Sequence, residues 1–359
     1  MNNNSLLKKE GITNIKKLNR KDVTAISRDV AIKLCLAFPD YNLNRSYLFD
    51  VISTINMYTA SIPNDNSGAK YIIDTNSIYF NNTVPFEDLP GIAMHECIHF
   101  LQMQSVNNCI SNNIALNEAA VQLMAAEANM NTYQTEKLFG LSIKTNTPDY
   151  YPLECAIVKQ LTYFTGDYPL YASTLNNNDI FKKTFINKFN KRIYNYIVKN
   201  LDKLLSLEND LHAYSVELSN ATKEYNIKAL NAIISSQKED IANLFIKIQN
   251  YIIKNCFCIE FNNITDEYTL YDFKKSLYYF KDVIAYYDNY TYYNEFYCDM
   301  MNALENKKNQ LEKLKTTNSV ATSPTSLIII DKKKPSLLLI YKTIRKLKKL
   351  IGMNVVENR

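Results

Sequence analysis

Glycine, proline and histidine are scarce in this sequence, and long apolar runs are absent. The 359 residues include 6 glycines and 9 prolines, which favours long helices over a β fold with many turns. No run of about eighteen apolar residues occurs, so no transmembrane helix is predicted. Residues 1–9 have neither an apolar core nor a cleavage site, and no secretory signal is expected there.

The seven cysteines form no disulfide framework, because their number is odd and their spacing irregular. Free thiols in a reducing compartment are therefore predicted, and a cytoplasmic location with them. The length permits two or three domains with a sizeable core, and the hydrophobic content of 47% is ordinary for a globular chain.

Apolar residues recur at helical spacing over most of the chain. The clearest β pattern covers residues 69–80, which predict a hairpin with its turn at Thr75 and Asn76. Helices are predicted over about residues 21–38, 45–59, 118–129, 181–206, 209–255 and 271–314, with another beginning near residue 150.

Two of the three histidines, His95 and His99, are four residues apart in a helical stretch that begins near residue 91. On a helix they lie on one face about one turn apart, so both imidazoles can bind one metal ion. Glu96 is beside them, where a carboxylate can take a proton from a metal-bound water. This is the His-Glu-x-x-His motif of metallopeptidases.

A catalytic zinc ion needs a third protein ligand and an open fourth position. Eighteen residues separate His99 from Glu118, which opens the next helical pattern. Other candidates fit less well, because a metzincin needs Gly and His where this chain has Gln102 and Ser105. His212 lies in a polar helical run and reads as an exposed helix residue.

The stretch from residue 91 to residue 122 resembles the gluzincins, whose pattern is His-Glu-x-x-His, a spacer and a Glu on the next helix. The spacer and the Leu-Asn-Glu setting are most similar to the aminopeptidase branch. The resemblance implies one Zn²⁺ ion bound by His95, His99 and Glu118, with Glu96 as the general base. It extends to the zinc site and not to aminopeptidase activity.

The fold class expected is mainly α, within α+β: a zincin-like core with a small hairpin or sheet and a pair of active-site helices, followed by a helical domain. The domains expected are a metallopeptidase domain over residues 1–180, a helical domain over 181–315, and a linker with a basic amphipathic tail over 316–359.

Two further features bear on a substrate. Zincin active sites use a sheet edge ahead of the metal helix, and Ile78, Tyr79 and Phe80 are the candidate edge for pairing with an extended peptide. The alternative is a hairpin that caps the core. Tyr150 or Tyr151 is a candidate donor to the oxyanion of a tetrahedral intermediate, and packing is the alternative for either.

The tail over residues 332–359 has nine basic residues and one acidic residue, so the positive charge of the chain, +5, is local. Its apolar positions form one helical stripe. This pattern suits an anionic membrane surface, such as the inner membrane face, or docking on the protein itself. Phosphate contacts would be non-specific, and no specific nucleic-acid partner is expected.

The function predicted is a zinc-dependent peptidase acting on a peptide or protein substrate. An alternative is a catalytically inactive, gluzincin-like helical protein that binds or regulates a partner. A zinc hydrolase acting on a non-peptide bond is the third interpretation. The residues do not indicate an oligomeric state.

Overall fold

The computed structural model describes Leu7 and residues 11–62, 68–104, 113–284 and 291–320, with side chains as far as residue 314. The described chain is mainly helical with a small sheet, which confirms the expected fold class. The elements in chain order are β1 (Thr13–Lys17), α1 (Arg20–Ala37), α2 (Arg45–Ile52), β2 (Asn56–Ser61), β3 (Ala69–Ile72), β4 (Ser77–Asn81), α3 (Leu89–Gln104), α4 (Ile114–Ala128), β5 (Gln134–Leu138), β6 (Leu141–Thr145), α5 (Pro152–Thr165), α6 (Tyr168–Asn176), α7 (Ile180–Phe189), α8 (Lys191–Asn220), α9 (Glu224–Asn262), α10 (Glu267–Tyr279) and α11 (Thr291–Val320).

The hairpin predicted from residues 69–80 is confirmed. Strands β3 and β4 pair antiparallel, and the turn between them contains Asn76 in a left-handed conformation with φ of 47°. Asparagine tolerates this conformation better than most residues because its short polar side chain can bond locally. The hairpin leads directly into α3, which carries the His-Glu-x-x-His motif.

The prediction that Ile78, Tyr79 and Phe80 form a sheet edge is wrong. They lie on β4, which pairs with β3 on one side and parallel to β2 on the other, in the strand order β1-β2-β4-β3. All three side chains are buried. The edge beside α3 is β3 instead.

The error has its origin in β2, because residues 45–59 were expected to form one helix. Helix α2 ends at Ile52, and residues 56–61 pair with both β1 and β4. The partner strands supply backbone hydrogen bonds that the local pattern does not reveal. The strands β1, β5 and β6 were not predicted either, and β5 and β6 pair with each other.

Helix α3 lies at the centre of the first half of the chain, in contact with β3, α1 and α4. Its buried face includes Ala93, Met94, Cys97 and Ile98, while His95, Glu96 and His99 are only partly covered. Helix α4 is rich in buried alanines, and such small side chains let neighbouring helices approach closely. The helix pair expected from the sequence is therefore a packed pair.

The region after residue 180 is helical, as predicted, but its helices end elsewhere. Asn190, with φ of 125°, separates α7 from α8, and its side chain accepts a hydrogen bond from the backbone N–H of Ile193. Helix α8 then continues to Asn220 and packs along α9. Asparagine is a preferred N-cap residue because its side chain accepts from a backbone N–H of the first turn, so this short polar residue decides where α8 begins.

The described residues up to Leu311 form one compact unit. One hydrophobic cluster extends from Ile26 to Leu304 within this unit. The expected domain boundary near residue 180 stays a prediction. None of the described helices is both long enough and apolar enough to cross a membrane.

The basic tail over residues 332–359 lies outside the described residues. Its expected membrane contact also stays a prediction. The described cysteines are all free, in agreement with the absence of a disulfide framework.

Candidate metal centre

Three side chains from α3 and α4 converge on one point. Nε2 of His95 lies 3.0 Å from Nε2 of His99, and Oε2 of Glu118 lies 3.3 Å from both nitrogens. The helical spacing of four residues brings the two imidazoles together, with ring centres 4.7 Å apart. Within the part of the chain that is described, these residues are the one group that can hold a metal ion.

The outer nitrogen of each imidazole contacts a glutamine side chain. Nδ1 of His95 lies 2.8 Å from Oε1 of Gln122, and Nδ1 of His99 lies 3.1 Å from Oε1 of Gln102. The Gln102 amide in turn donates through Nε2 to Oδ1 of Asn117 at 2.9 Å. An amide oxygen only accepts, so each Nδ1 carries the proton and each Nε2 presents a lone pair to the shared point.

The chemistry of these donor atoms fits a zinc ion. Two imidazole nitrogens and one carboxylate oxygen are the ligand types of a His₂Glu catalytic zinc site, and three protein ligands leave a further position open. Three lone-pair atoms within 4.8 Å of one another repel unless a cation lies between them. These atoms are partly buried, so water screens their repulsion less than it would at the surface.

The pKa values of Glu118 and His99 are shifted by burial and by the contacts between these two residues. Burial raises the pKa of Glu118, but the hydrogen bonds with His95 and His99 together outweigh burial and hold that pKa well below its usual range. Burial lowers the pKa of His99, yet the hydrogen bond and the negative charge of Glu118 leave that pKa raised. Positive charge is thus drawn to the point that the three ligand atoms share.

Glu96 lies partly buried beside the cluster and is held by the sheet. Its Oε2 accepts a hydrogen bond of 2.9 Å from the backbone N–H of Tyr71 on β3. Burial raises the pKa of Glu96 and outweighs the nearby imidazoles, which lower it. A carboxylate with a raised pKa is a stronger base than one in water, which suits proton transfer near neutral pH.

The two candidate tyrosines occupy different positions. The Tyr151 ring stacks on the His95 ring, with centres 6.2 Å apart, and burial together with the nearby Glu118 carboxylate raises the pKa of its hydroxyl. Its backbone is left-handed, with φ of 52°, which is uncommon for a bulky residue. The Tyr150 hydroxyl instead accepts a 2.7 Å hydrogen bond from the backbone N–H of Gly68, next to β3. Tyr151 therefore lies closer to the metal ligands.

The cluster opens into a cleft of about 1410 Å³. Residues of β3, α3 and α4 line the cleft, together with Tyr150 and Tyr151. Ile78, Tyr79 and Phe80 are not among the lining residues. Residues of β3 line the cleft instead.

His95, Glu96, His99 and Glu118 lie together around this cleft. The roles of Gln102, Gln122 and Asn117 were not predicted. Gln102 comes three residues after His99, and Gln122 comes four after Glu118, so helical spacing places each amide on the same face as a ligand. That periodicity was a signal, but many polar residues satisfy it without any such contact.

No protein-family model, no curated protein and no solved structure matches this chain.

Proposed function

We propose that this protein is a zinc-dependent peptidase. The observation that supports the proposal is the convergence of Nε2 of His95, Nε2 of His99 and Oε2 of Glu118 within 3.3 Å of one another. These are the donor types of a catalytic zinc site that keeps an open position. Bound there, zinc supplies a Lewis acid that polarises a carbonyl group and acidifies a water molecule.

Glu96 is the general base of the proposed reaction. Its carboxylate takes a proton from the attacking water and passes it to the leaving amine. The hydrogen bond from the Tyr71 N–H holds Oε2 in place, and burial raises the pKa of the carboxyl. The position of the base thus depends on the sheet as well as on α3.

The edge of β3 is the proposed platform for an extended substrate. The Gly68 carbonyl accepts from the Asn81 N–H at 2.8 Å, which sets the alternation of the antiparallel pair. The backbone groups of Ala69 and Tyr71 therefore turn away from β4, and the Tyr71 N–H does reach Glu96. The Tyr71 N–H is taken by Glu96, but no strand pairs with this edge of β3 among the described residues, so a peptide backbone can bind along the rest of the edge.

The decisive experiment combines zinc analysis with peptide cleavage by the full-length protein. We expect about one zinc per chain and cleavage of a proteome-derived peptide mixture. Glu96→Gln should keep the zinc and reduce cleavage by about 10²- to 10⁴-fold, because a positioned general base contributes that much. Glu224→Gln, on the exposed start of α9, is the matched control and should retain wild-type cleavage.

Zinc-free wild-type protein would overturn the proposal. Zinc-bound protein that cleaves no peptide would favour the alternatives, an inactive gluzincin-like binding protein or a hydrolase of another bond.

A further inference from the structure

Two buried glutamine side chains contact the candidate zinc ligands at the nitrogen that faces away from the metal point. Gln122 is 7% exposed and Gln102 is 6% exposed. Their Oε1 atoms lie 2.8 Å from Nδ1 of His95 and 3.1 Å from Nδ1 of His99. Buried amide groups almost always have hydrogen-bond partners. Here each buried amide oxygen has an imidazole nitrogen of the candidate site as its partner, which is a specific arrangement.

We propose that Gln102 and Gln122 are positioning residues of the metal centre, and that Asn117 acts through Gln102. The inference rests on the proposed function. Each Oε1 accepts the Nδ1 proton and so selects the tautomer whose Nε2 is free to bind metal. Asn117 Oδ1 accepts from Gln102 Nε2 at 2.9 Å, which keeps the oxygen of Gln102 turned to His99.

The two amides also set the charge of the site. A neutral amide does not draw the Nδ1 proton away, as a carboxylate partner does in part, so the imidazoles stay neutral ligands. Glu118 is then the single negative ligand, and a bound divalent ion keeps an excess positive charge. That excess favours attraction of a carbonyl oxygen.

The test uses the full-length chain and zinc itself, with affinity measured by competition against a chromophoric chelator. Gln122→Met and Gln102→Met keep the side-chain length and remove the acceptor. Each should weaken zinc binding about 10- to 100-fold, as is typical when a partner of a metal-bound histidine is lost. Gln122→Glu restores an acceptor at Nδ1 and should restore affinity to at least the wild-type level.

The chain offers a matched control for loss of a buried glutamine. Gln160 is fully buried on α5 and donates through Nε2 to Gln249 at 2.8 Å, away from the histidines. Gln160→Met should lower thermal stability and leave zinc affinity unchanged. If it weakens zinc as much as Gln122→Met does, the glutamines act through general stability and the proposal is overturned.

Asn117 provides a second test, because a residue that acts through another shows non-additive effects. Asn117→Leu should weaken zinc binding by itself, yet add little in the Gln102→Met background. Full additivity would overturn the role of Asn117 as the residue that orients Gln102.

A spectroscopic measurement on the wild type tests the same proposal even if the variants fold poorly. The chain has three histidines, so ¹⁵N-labelled histidine in the zinc-loaded wild type gives a simple spectrum. His95 and His99 should appear as Nδ1–H tautomers, with His212 on α8 as the internal reference. An Nε2–H tautomer at either ligand would overturn the proposal.

Failure of this inference differs from failure of the proposed function. Wild-type protein that binds no zinc would overturn both. Wild-type protein that binds zinc, with Gln122→Met and Gln102→Met equally tight, would overturn only the positioning role.

Discussion

Oε2 of Glu118 lies 3.3 Å from Nε2 of His99, although the two residues belong to different helices. The two helices pack against each other, so a carboxylate of α4 reaches the paired imidazoles of α3. Five expectations follow from this arrangement and from the packing around it.

Replacement of Glu118 should abolish tight zinc binding. Glu118→Ala removes the anionic ligand and leaves two neutral imidazoles, which bind a divalent ion far more weakly. Chelator competition should show at least a 100-fold loss, on the order of the largest effects of lost metal contacts. Glu127→Ala on the same helix is the control, since Glu127 is exposed and contacts Tyr171. Unchanged zinc affinity in Glu118→Ala would contradict the ligand assignment.

Metal removal should destabilise the protein. Zinc that binds only the folded chain at about 100 times its Kd adds about 2.7 kcal/mol to the free energy of unfolding. Thermal melts with excess zinc should therefore lie above melts in a chelator. Glu118→Ala should melt at one temperature in both conditions, and the same result for the wild type would count against a zinc site.

Replacement of Tyr151 and replacement of Tyr150 should change different kinetic parameters. The Tyr151 ring stacks on the His95 ring beside the ligands, so Tyr151→Phe should lower kcat about 10²- to 10³-fold with zinc retained, as loss of one oxyanion donor does. Tyr150→Phe removes the partner of the Gly68 N–H, so it should act mainly on KM through β3. The reverse pattern would assign the oxyanion role to Tyr150.

A buried carboxyl pair should make stability depend on pH. Glu154 on α5 is fully buried beside Glu208 on α8, and burial raises the pKa of both carboxyls. The two can share a hydrogen bond only while one keeps its proton. A raised folded-state pKa means that the folded protein holds protons that the unfolded chain has lost. The stabilisation is full below the ordinary carboxyl value of 4.5 and is lost as the pH rises above it.

Glu154→Gln should therefore raise the melting temperature at pH 8 and flatten the dependence of stability on pH in the range above 4.5. Thermal melts across that range measure it. Glu136→Gln on β5 is the control and should leave the pH profile unchanged. A wild-type protein whose stability rises through the same range would contradict the shared proton.

The aromatic core of the helical region should carry much of its stability. Phe257 on α9 contacts four phenylalanine rings from other elements, with ring centres 5.1 to 6.1 Å apart. Phe257→Ala should cost about 3–5 kcal/mol in the free energy of unfolding by urea. Tyr225→Ala, at a site 82% exposed on the same helix, should change it by less than about 0.5 kcal/mol.

Several features were predictable because they depend on local periodicity. A helix over the His-Glu-x-x-His motif puts His95 and His99 on one face whatever surrounds it, since the residue spacing alone sets that geometry. The β3–β4 hairpin was predicted for the same reason, because its turn and its alternating residues are adjacent in sequence.

Other features failed because they depend on distant partners. Residues 56–59 look helical by themselves, but β2 pairs with β1 and β4 and so moves Ile78, Tyr79 and Phe80 from the edge to the interior. Strand pairing is decided by which backbone edges are free after the whole chain packs.

The sequence by itself therefore determined the helical character of the chain, the hairpin and the common face of His95 and His99. Tertiary structure alone decided that β3 is an outer strand of the described sheet, that the Tyr71 N–H holds Glu96, and that Gln122 and Gln102 reach the outer imidazole nitrogens. The physical reason is the distance along the sequence between the residues that interact. Helix and turn geometry follow from neighbours a few residues apart, whereas hydrogen bonds between elements exist only after burial has brought distant side chains together.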